Sequence, residues 1–312
     1  MADDDYVLLA GSASQPLAGE IAAYLDHPLG KSETLRFSDG NLFVRVLENV
    51  RGRDVYLVQA VAPPANDNFM ELLFWVDALK RASAASVTAV IPYFSYAKGD
   101  KKDEPRVSIR ARVCADSLEA AGVDRVVTLD LHAPQVQGFF KVPVDDLHAA
   151  PVLCDAVRAS APEDLVVVSP DAGFAKRARE YADRLGAPLA IADKRRVDHD
   201  EVAEVTELIG DVDGRPTLVV DDFTISAGTL IDAARVLIER GATSVRAAVS
   251  QALLTPEGCQ RIDDSPIDRL YVTDAVPVPQ GGETVQSVPV APLFGEAIRR
   301  IAQRESISVL FQ

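Results

Sequence analysis

Apolar positions along the chain come in short unbroken runs that alternate with stretches where they recur every three to four residues. The runs fall at residues 6–10, 54–60, 86–94, 125–131, 165–169, 188–192, 217–221, 244–250 and 269–273. Several are continuous in Val, Leu and Ile, the composition of strands covered on both faces. Helical spacing falls between them, at 16–25, 68–81, 109–121, 173–184, 228–240 and 291–303. Asn66, Asp67 and Asn68 offer N-caps to the second of these helices. Gly122 and Gly241 stand where helices should stop. This alternation predicts an α/β protein whose mostly parallel sheets are flanked by helices.

A short repeat lies within the pattern. Val127–Thr128–Leu129–Asp130–Leu131–His132 and Leu218–Val219–Val220–Asp221–Asp222 are both apolar runs closed by acidic residues. They are about one domain length apart. Two similar domains account for this, expected at residues 1–148 and 149–312, with the tail 301–312 able to pack back on the first.

Composition narrows the class. The 312 residues are 48% apolar and 25% charged, the balance of a globular protein with a sizeable core. No apolar run approaches the roughly 18 residues of a membrane span, and the start, Met1–Ala2–Asp3–Asp4–Asp5, is acidic where a secretory signal would be basic. A cytoplasmic protein with no membrane partner is expected. Cys114, Cys154 and Cys259 are odd in number and lack metal-ligand spacing, so they read as reduced core residues. The net charge of −15 works against non-specific nucleic-acid binding. Yet Lys and Arg cluster at 98–112, 176–179 and 194–196, beside strand ends, as sites for a polyanionic small molecule would require.

Three constellations carry candidate chemistry. Asp221 and Asp222 close a buried strand at the end where open α/β sheets place ligands. Ser226, Ala227, Gly228 and Thr229 follow, small and hydroxyl-rich, leading into a helix whose free N–H groups suit a phosphate. Such a site fits one molecule with hydroxyls at one end and phosphate at the other, although an N-capped surface turn would also use these letters. His132 after its strand, with Asp171 in Ser169–Pro170–Asp171–Ala172–Gly173, offers ligands to a divalent cation such as Mg²⁺, which needs few from protein. A hydrogen-bonded structural histidine is the plainer alternative, and His27, His148 and His199 are read that way. Finally, Lys194 and Arg196 in Asp193–Lys194–Arg195–Arg196 could close over a transferring phosphoryl group from a mobile loop; a solvated turn is the alternative.

Taken together, these stretches resemble the ribose-phosphate pyrophosphokinase (phosphoribosyl pyrophosphate synthetase) family along nearly the whole chain. The likeness runs through Phe37–Ser38–Asp39–Gly40, Asn66–Asp67–Asn68–Phe69–Met70–Glu71–Leu72–Leu73, Ala89–Val90–Ile91–Pro92–Tyr93–Phe94, Leu129–Asp130–Leu131–His132–Ala133, Gln137–Gly138–Phe139–Phe140, Ser169–Pro170–Asp171, Asp193–Lys194–Arg195–Arg196 and the tail from Glu305 to Phe311. The resemblance implies two tandem phosphoribosyltransferase-type domains and a homo-oligomer built from dimers, commonly a hexamer. It implies pyrophosphate transfer from Mg-ATP to O1 of ribose 5-phosphate, giving 5-phosphoribosyl 1-pyrophosphate and AMP for nucleotide biosynthesis. Asp221 and Asp222 would bind the ribose hydroxyls, Ser226 to Thr229 the 5-phosphate, and His132 and Asp171 Mg²⁺. Lys194 and Arg196 would stabilise the transferring group. Phe37, Asp39, Asn41, Lys98 and Asp103 would fall in the nucleotide site, with Phe37 and Asp39 reaching across from a neighbouring subunit.

Departures from the family pattern sit at these same sites. Asn41 stands where the family usually has Glu, Lys98–Gly99 where it has Arg–Gln, and Ile225 where the sugar-phosphate loop has Asp. Asn49 replaces the usual Ser of the phosphate-activated class, so that class's regulation is not carried over. A loop reading Ser226–Ala227–Gly228–Thr229 is also similar to that of orotate phosphoribosyltransferase. Besides the pyrophosphokinase, two readings therefore stand open: a transferase that consumes phosphoribosyl pyrophosphate, and a non-catalytic subunit associated with a synthetase.

Overall fold

The computed structural model describes residues 6–160, 162–195, 204–279 and 282–311, and every structural statement here concerns these residues. The chain divides into two compact units, Met1–His148 with Val290–Gln312, and Ala149–Pro289.

In the first unit, β1 (Tyr6–Ala10) leads into α1 (Gln15–Leu25) and a hairpin of β2 (Ser32–Arg36) and β3 (Leu42–Val46). Then come β4 (Asp54–Val58), α2 (Ala65–Arg81), β5 (Ser86–Ile91), α3 (Arg110–Ala121), β6 (Arg125–Leu129) and β7 (Val144–Leu147). The five-stranded sheet runs β1–β4–β5–β6–β7, and every neighbouring pair is parallel. Each strand is added beyond the last, so the order never reverses. Leu72, Trp75, Val76 and Leu79 of α2 and Ala111, Ala115 and Leu118 of α3 are buried in one core with Val55, Leu57, Ala89 and Ile91. Their three- and four-residue spacing is the apolar stripe read from the sequence.

The capping expectation for α2 is corrected. The helix begins at Ala65 with Pro64 as N-cap (φ −76°) and no side-chain cap. Proline's fixed φ suits the entry to a helix, which moves the start back and leaves Asn66, Asp67 and Asn68 inside the first turn. Their side chains bond elsewhere: Asn68 Nδ2 donates to the Ala62 carbonyl (2.8 Å), and Asp67 pairs with Arg36 (2.6 Å).

The second unit contains α4 (Ala150–Arg158), β8 (Val166–Ser169), α5 (Ala175–Leu185), β9 (Leu189–Arg195), β10 (Glu204–Ile209) and β11 (Pro216–Thr224). It continues through α6 (Gly228–Glu239), β12 (Ser244–Ala252), α7 (Pro256–Asp263), β13 (Ile267–Thr273) and β14 (Val285–Val288). Its sheet runs β10–β9–β8–β11–β12–β13–β14, parallel except for the β10–β9 pair. After β10 the chain crosses to the other side of β8, so the strand order reverses between β8 and β11. Right-handed crossovers running in opposite directions put α5 and α6 on opposite faces. Sheets of this kind take ligands at the carboxyl ends of the strands that flank such a reversal, here β8 and β11.

The last helix, α8 (Ala291–Ala302), belongs to the first unit. The return was expected only from residue 301, within a second domain of 149–312; it starts at Val290. Packing explains the difference. Phe294, Ala297 and Ile298 of α8 are buried, and the Tyr24 ring of α1 fills the space a side chain on Gly295 would need. Cys114, Cys154 and Cys259 are buried and free, and burial pushes the Cys114 and Cys154 thiols up to about 12. His27 packs on Tyr6 (centroids 4.3 Å apart) and His148 on Phe311 (5.6 Å), whereas His199 lies outside the described residues. No helix among the described residues is long and apolar enough to cross a membrane.

Candidate active site

In the second unit, Asp221 and Asp222 stand near the end of β11, beside the strand-order reversal. The Asp222 N–H donates to Asp221 Oδ1 at 2.9 Å, and Asp222 is buried. Burial, then the neighbouring Asp222 carboxylate, pushes the Asp221 carboxyl well above the usual carboxylate range, and Asp171 adds to the shift. Acids crowded against their own charge at a crevice are a common mark of a working site.

The loop after β11 is shaped by its own hydroxyls. Thr224 Oγ1 accepts the Ala227 N–H (3.1 Å), and Ser226 Oγ accepts the Gly228 N–H (3.5 Å). Ala227 is the N-cap of α6 in the left-handed region (φ 59°), and no side chain caps the helix. That backbone costs an L-residue about 1–2 kcal/mol, while the Ala227 methyl is wholly buried in the unit's core. The first turn of α6 carries no acidic residue, so its positive dipole end and the N–H groups beyond Gly228 suit an anion. Ser226 and Thr229 are exposed, and Ile225 is 53% exposed between them and the strand.

Asp171 lies in the turn after β8. Its carbonyl accepts from Ser169 Oγ (2.7 Å), and its Oδ1 accepts the Phe174 N–H (2.9 Å), which fixes the carboxylate at the turn's exposed surface. Lys194 is a strand residue, not the loop residue expected. Antiparallel pairing carries β9 through to Arg195, with Lys194 opposite Val205. Arg196 lies outside the described residues.

The first unit holds the remaining candidates. Phe37, Asp39 and Asn41 form the tip of the β2–β3 hairpin, where the Phe37 N–H donates to the Asn41 carbonyl (2.8 Å) and the Asn41 N–H to Asp39 Oδ1 (2.9 Å). Gly40, at φ 87°, supplies a turn conformation that suits glycine. The Phe37 ring is half exposed. Lys98 closes a 3-10 turn at Ser95–Lys98, and Asp103 is exposed beyond it. Gly99 has a local cause: a Cβ there would stand 2.7 Å from Arg110 Nε, so the Arg110 side chain occupies that space. His132 is exposed just beyond β6.

Polar contacts join these segments. Arg36 of the hairpin meets Asp67 (2.6 Å), Asn66 accepts from Tyr96 of the Lys98 turn, and Gln135 beyond His132 donates to Asp100 (2.5 Å). Glu71 of α2, buried, accepts from the Ser12 N–H (2.8 Å), Thr34 Oγ1 (3.0 Å) and Trp75 Nε1 (3.2 Å), tying the hairpin to the sheet. Sequence reasoning missed two features here. One is the role of Glu71, since a polar residue inside a helical pattern reads as solvated. The other is Arg261 of α7, whose Nη2 lies 3.9 Å from where a Cβ on Gly228 would be. No motif marks it, because it comes from a separate helix.

An acidic pair ending a parallel strand at an order reversal, followed by an open helix N-terminus, defines the phosphoribosyltransferase type of α/β protein. Comparisons carry the assignment further. The family model for the N-terminal domain of ribose phosphate pyrophosphokinase matches residues 6–122, and that for the phosphoribosyl synthetase-associated domain matches residues 200–312. Ribose-phosphate pyrophosphokinase of Wolinella succinogenes is 45% identical over 98% of this chain and 99% of its own. That of Chromobacterium violaceum is 47% identical over 99% and 95%. The crystal structure of phosphoribosylpyrophosphate synthetase from Mycobacterium smegmatis superposes with a TM-score of 0.90 at 36% identity, covering 96% of this chain and 99% of that one. The chain belongs to the ribose-phosphate pyrophosphokinase family.

Proposed function

We infer that the chain transfers the pyrophosphoryl group of Mg-ATP to O1 of ribose 5-phosphate, giving 5-phosphoribosyl 1-pyrophosphate and AMP. The observation that carries this reading is the acidic pair Asp221–Asp222 running into an uncapped helix N-terminus, in a chain that matches pyrophosphokinases over nearly its full length. In the reaction, O1 forms a bond to the β-phosphorus of ATP, the bond from that phosphorus to the bridging oxygen breaks, and AMP leaves with that oxygen. The O1 proton is lost to the surroundings.

Asp221 and Asp222 hold the ribose hydroxyls and so aim O1. The loop Ser226–Ala227–Gly228–Thr229 holds the 5-phosphate through backbone N–H groups and hydroxyls. Lys194 and Arg196 bring positive charge to the transferring group, which matters because this chemistry is mainly positioning and electrostatics. Phe37, Asp39, Asn41, Lys98 and Asp103 serve the nucleotide. The half-exposed Phe37 ring at a rigid hairpin tip suits a base face. Lys98 offers a point charge where a guanidinium would offer a planar fork.

His132 and Asp171 are the residues that would hold Mg²⁺. Each offers a ligand of a kind that suits an ion which keeps most of its waters and takes phosphate oxygens for the rest. The exposed Asp171 carboxylate, fixed by a single N–H, and its mutual repulsion with Asp221 fit a cation there. When bound, Mg²⁺ would neutralise the triphosphate. A cytoplasmic homo-oligomer built from dimers completes the reading.

Incubation with ATP, Mg²⁺ and ribose 5-phosphate should release AMP and form phosphoribosyl pyrophosphate in equal amounts. Absence of AMP with every nucleoside triphosphate tried would overturn it.

A further inference from the structure

No step of the reaction falls to residues 66–73, yet the hairpin and the Lys98 turn are both fastened to them. Asp67 meets Arg36 (2.6 Å), Glu71 accepts from Thr34 Oγ1 (3.0 Å), and Asn66 Oδ1 accepts from the Tyr96 hydroxyl. Glu71 is the buried member. Besides Thr34, its carboxylate accepts from the Ser12 N–H (2.8 Å), the Ser12 hydroxyl and Trp75 Nε1 (3.2 Å). Ser12 opens the turn after β1, and Trp75 is fully buried in the unit's core. A carboxylate engaged from these sides is fixed, and what it holds is held against the core.

The hairpin needs such a hold. Strands β2 and β3 pair only with each other, and a lone two-stranded hairpin is marginally stable in water. Thr34 lies opposite Val44, so the two share a face, and Val44 and Val46 pack on the core. Leu35 and Phe43 take the other face, where the Phe37 ring lies 6.1 Å from that of Phe43. One face is thus fastened to α2, and the other carries the aromatic ring of the tip. The fastenings match in spacing, since two residues along a strand span about 6.6 Å and four along a helix about 6 Å. Thr34 and Arg36 therefore meet Glu71 and Asp67 in order, and a slip of the hairpin along α2 would break both contacts. The Arg36–Asp67 pair is half exposed and contributes little. The bond to Glu71 is the stronger of the two, because a carboxylate acceptor makes a hydrogen bond roughly twice as strong as a neutral one. The fold itself does not require it: Glu71 keeps its other donors without Thr34, and Thr34 is only half buried.

We propose that Thr34 and Glu71 are a positioning pair for the nucleotide. Their bond sets where on α2 the hairpin sits, and so where its tip presents Phe37 and Asp39. The inference rests on the reading that this tip serves the nucleotide. Glu71 acts through Thr34 and touches no substrate, and the pair has no part in holding the sugar phosphate.

Thr34→Val tests this, because it removes the hydroxyl at nearly constant shape and keeps a residue that suits a strand. Calorimetric titration with Mg-ATP alone reads the result, alongside steady-state kinetics in which each substrate is varied. Thr34→Val is expected to weaken Mg-ATP binding and raise its KM about tenfold, the scale of a hydrogen bond to a carboxylate. The KM for ribose 5-phosphate and the melting temperature should stay within error, and Thr34→Ser, which keeps the hydroxyl, should bind as the native protein does. Phe37→Ala is the companion variant, expected to weaken Mg-ATP binding by loss of the ring. If it does so while Thr34→Val leaves binding unchanged, the positioning role is overturned and the reading of the tip stands. Unchanged binding by Phe37→Ala would sink the reading of the tip and the positioning role with it. Equal rises in both KM values for Thr34→Val, or a loss as large in Thr34→Ser, would also refute the role.

Discussion

Both units are built on mostly parallel sheets in which one apolar strand runs into acidic residues, β6 in the first and β11 in the second, yet they do different things with them. In the first, the strand order advances without reversal, and β6 runs on through Asp130 and His132 into a 3-10 turn at Pro134–Phe139. No long helix starts there, so no row of N–H groups faces the strand end. In the second, the order reverses between β8 and β11, and α6 begins uncapped four residues after β11. A similar apolar run closed by acids thus leads to the exposed His132 in one unit and to an acidic pair followed by a helix N-terminus in the other. The chemistry at a strand end is set by the segment that leaves it and by whether the neighbouring strands diverge.

The carboxylates differ in the same way. Asp221 is held well above its usual range by burial and by Asp222, so its charge works against the fold. Glu296 of α8 is held down to about 2, first by its hydrogen bond from Arg299 and then by Arg300. Arg299 Nη2 lies 2.7 Å and Arg300 Nε 2.6 Å from it. One acid costs stability at the candidate site; the other contributes stability far from it.

Single substitutions should separate the two units. The largest effect is expected from Lys194→Ala, which should lower kcat about a thousandfold with an unchanged melting temperature, because such a cation acts mainly in the transition state. An unaltered kcat would remove β9 from the active unit.

Asp221→Asn should lower kcat/KM for ribose 5-phosphate about a hundredfold. It should also raise the melting temperature at neutral pH. The sign comes from linkage: with the folded pKa raised, no penalty exists below the unfolded value of about 3.9, and the penalty grows as pH rises through the folded value. The stability advantage of Asp221→Asn should therefore widen with pH. Melting curves from pH 4 to pH 8 check this, and a constant gap would contradict the assigned cause.

His132→Ala addresses the first unit's share. It should raise the Mg²⁺ concentration for half-maximal rate about tenfold, read from a magnesium titration at fixed ATP. Smallest is Glu296→Gln, expected to destabilise by no more than about 1 kcal/mol, since its partners are partly exposed. The wild-type contribution should be intact above the unfolded pKa of about 4.3 and should fade as pH drops towards about 2. Denaturant melts of both proteins at pH 7 and pH 3 would show the difference shrinking.

Much of this was legible in the linear order of residues. Each of the nine apolar runs overlaps a strand, because a strand buried on both faces must be apolar throughout. The six helical stretches were legible for the same reason, through their buried stripes. The hairpin of β2 and β3 was not, since Ser32, Glu33, Thr34 and Arg36 read as surface; its place comes from Glu71 and Asp67 of α2. Nor was α4, where Ala and Pro open a short segment without a long periodic stripe.

At the site, Asp221, Asp222 and residues 226–229 were readable because they are contiguous, so their chemistry is local. Three decisions came only from tertiary structure. The reversal between β8 and β11 depends on which strands pair, a matter of long-range packing. Val290 marks the return to the first unit because α8 buries its apolar face against α1. Arg261 reaches Gly228 from more than thirty positions along the chain. Residue type and spacing carry the chemistry of one segment, while bringing separate segments together is governed by contacts that no local pattern records.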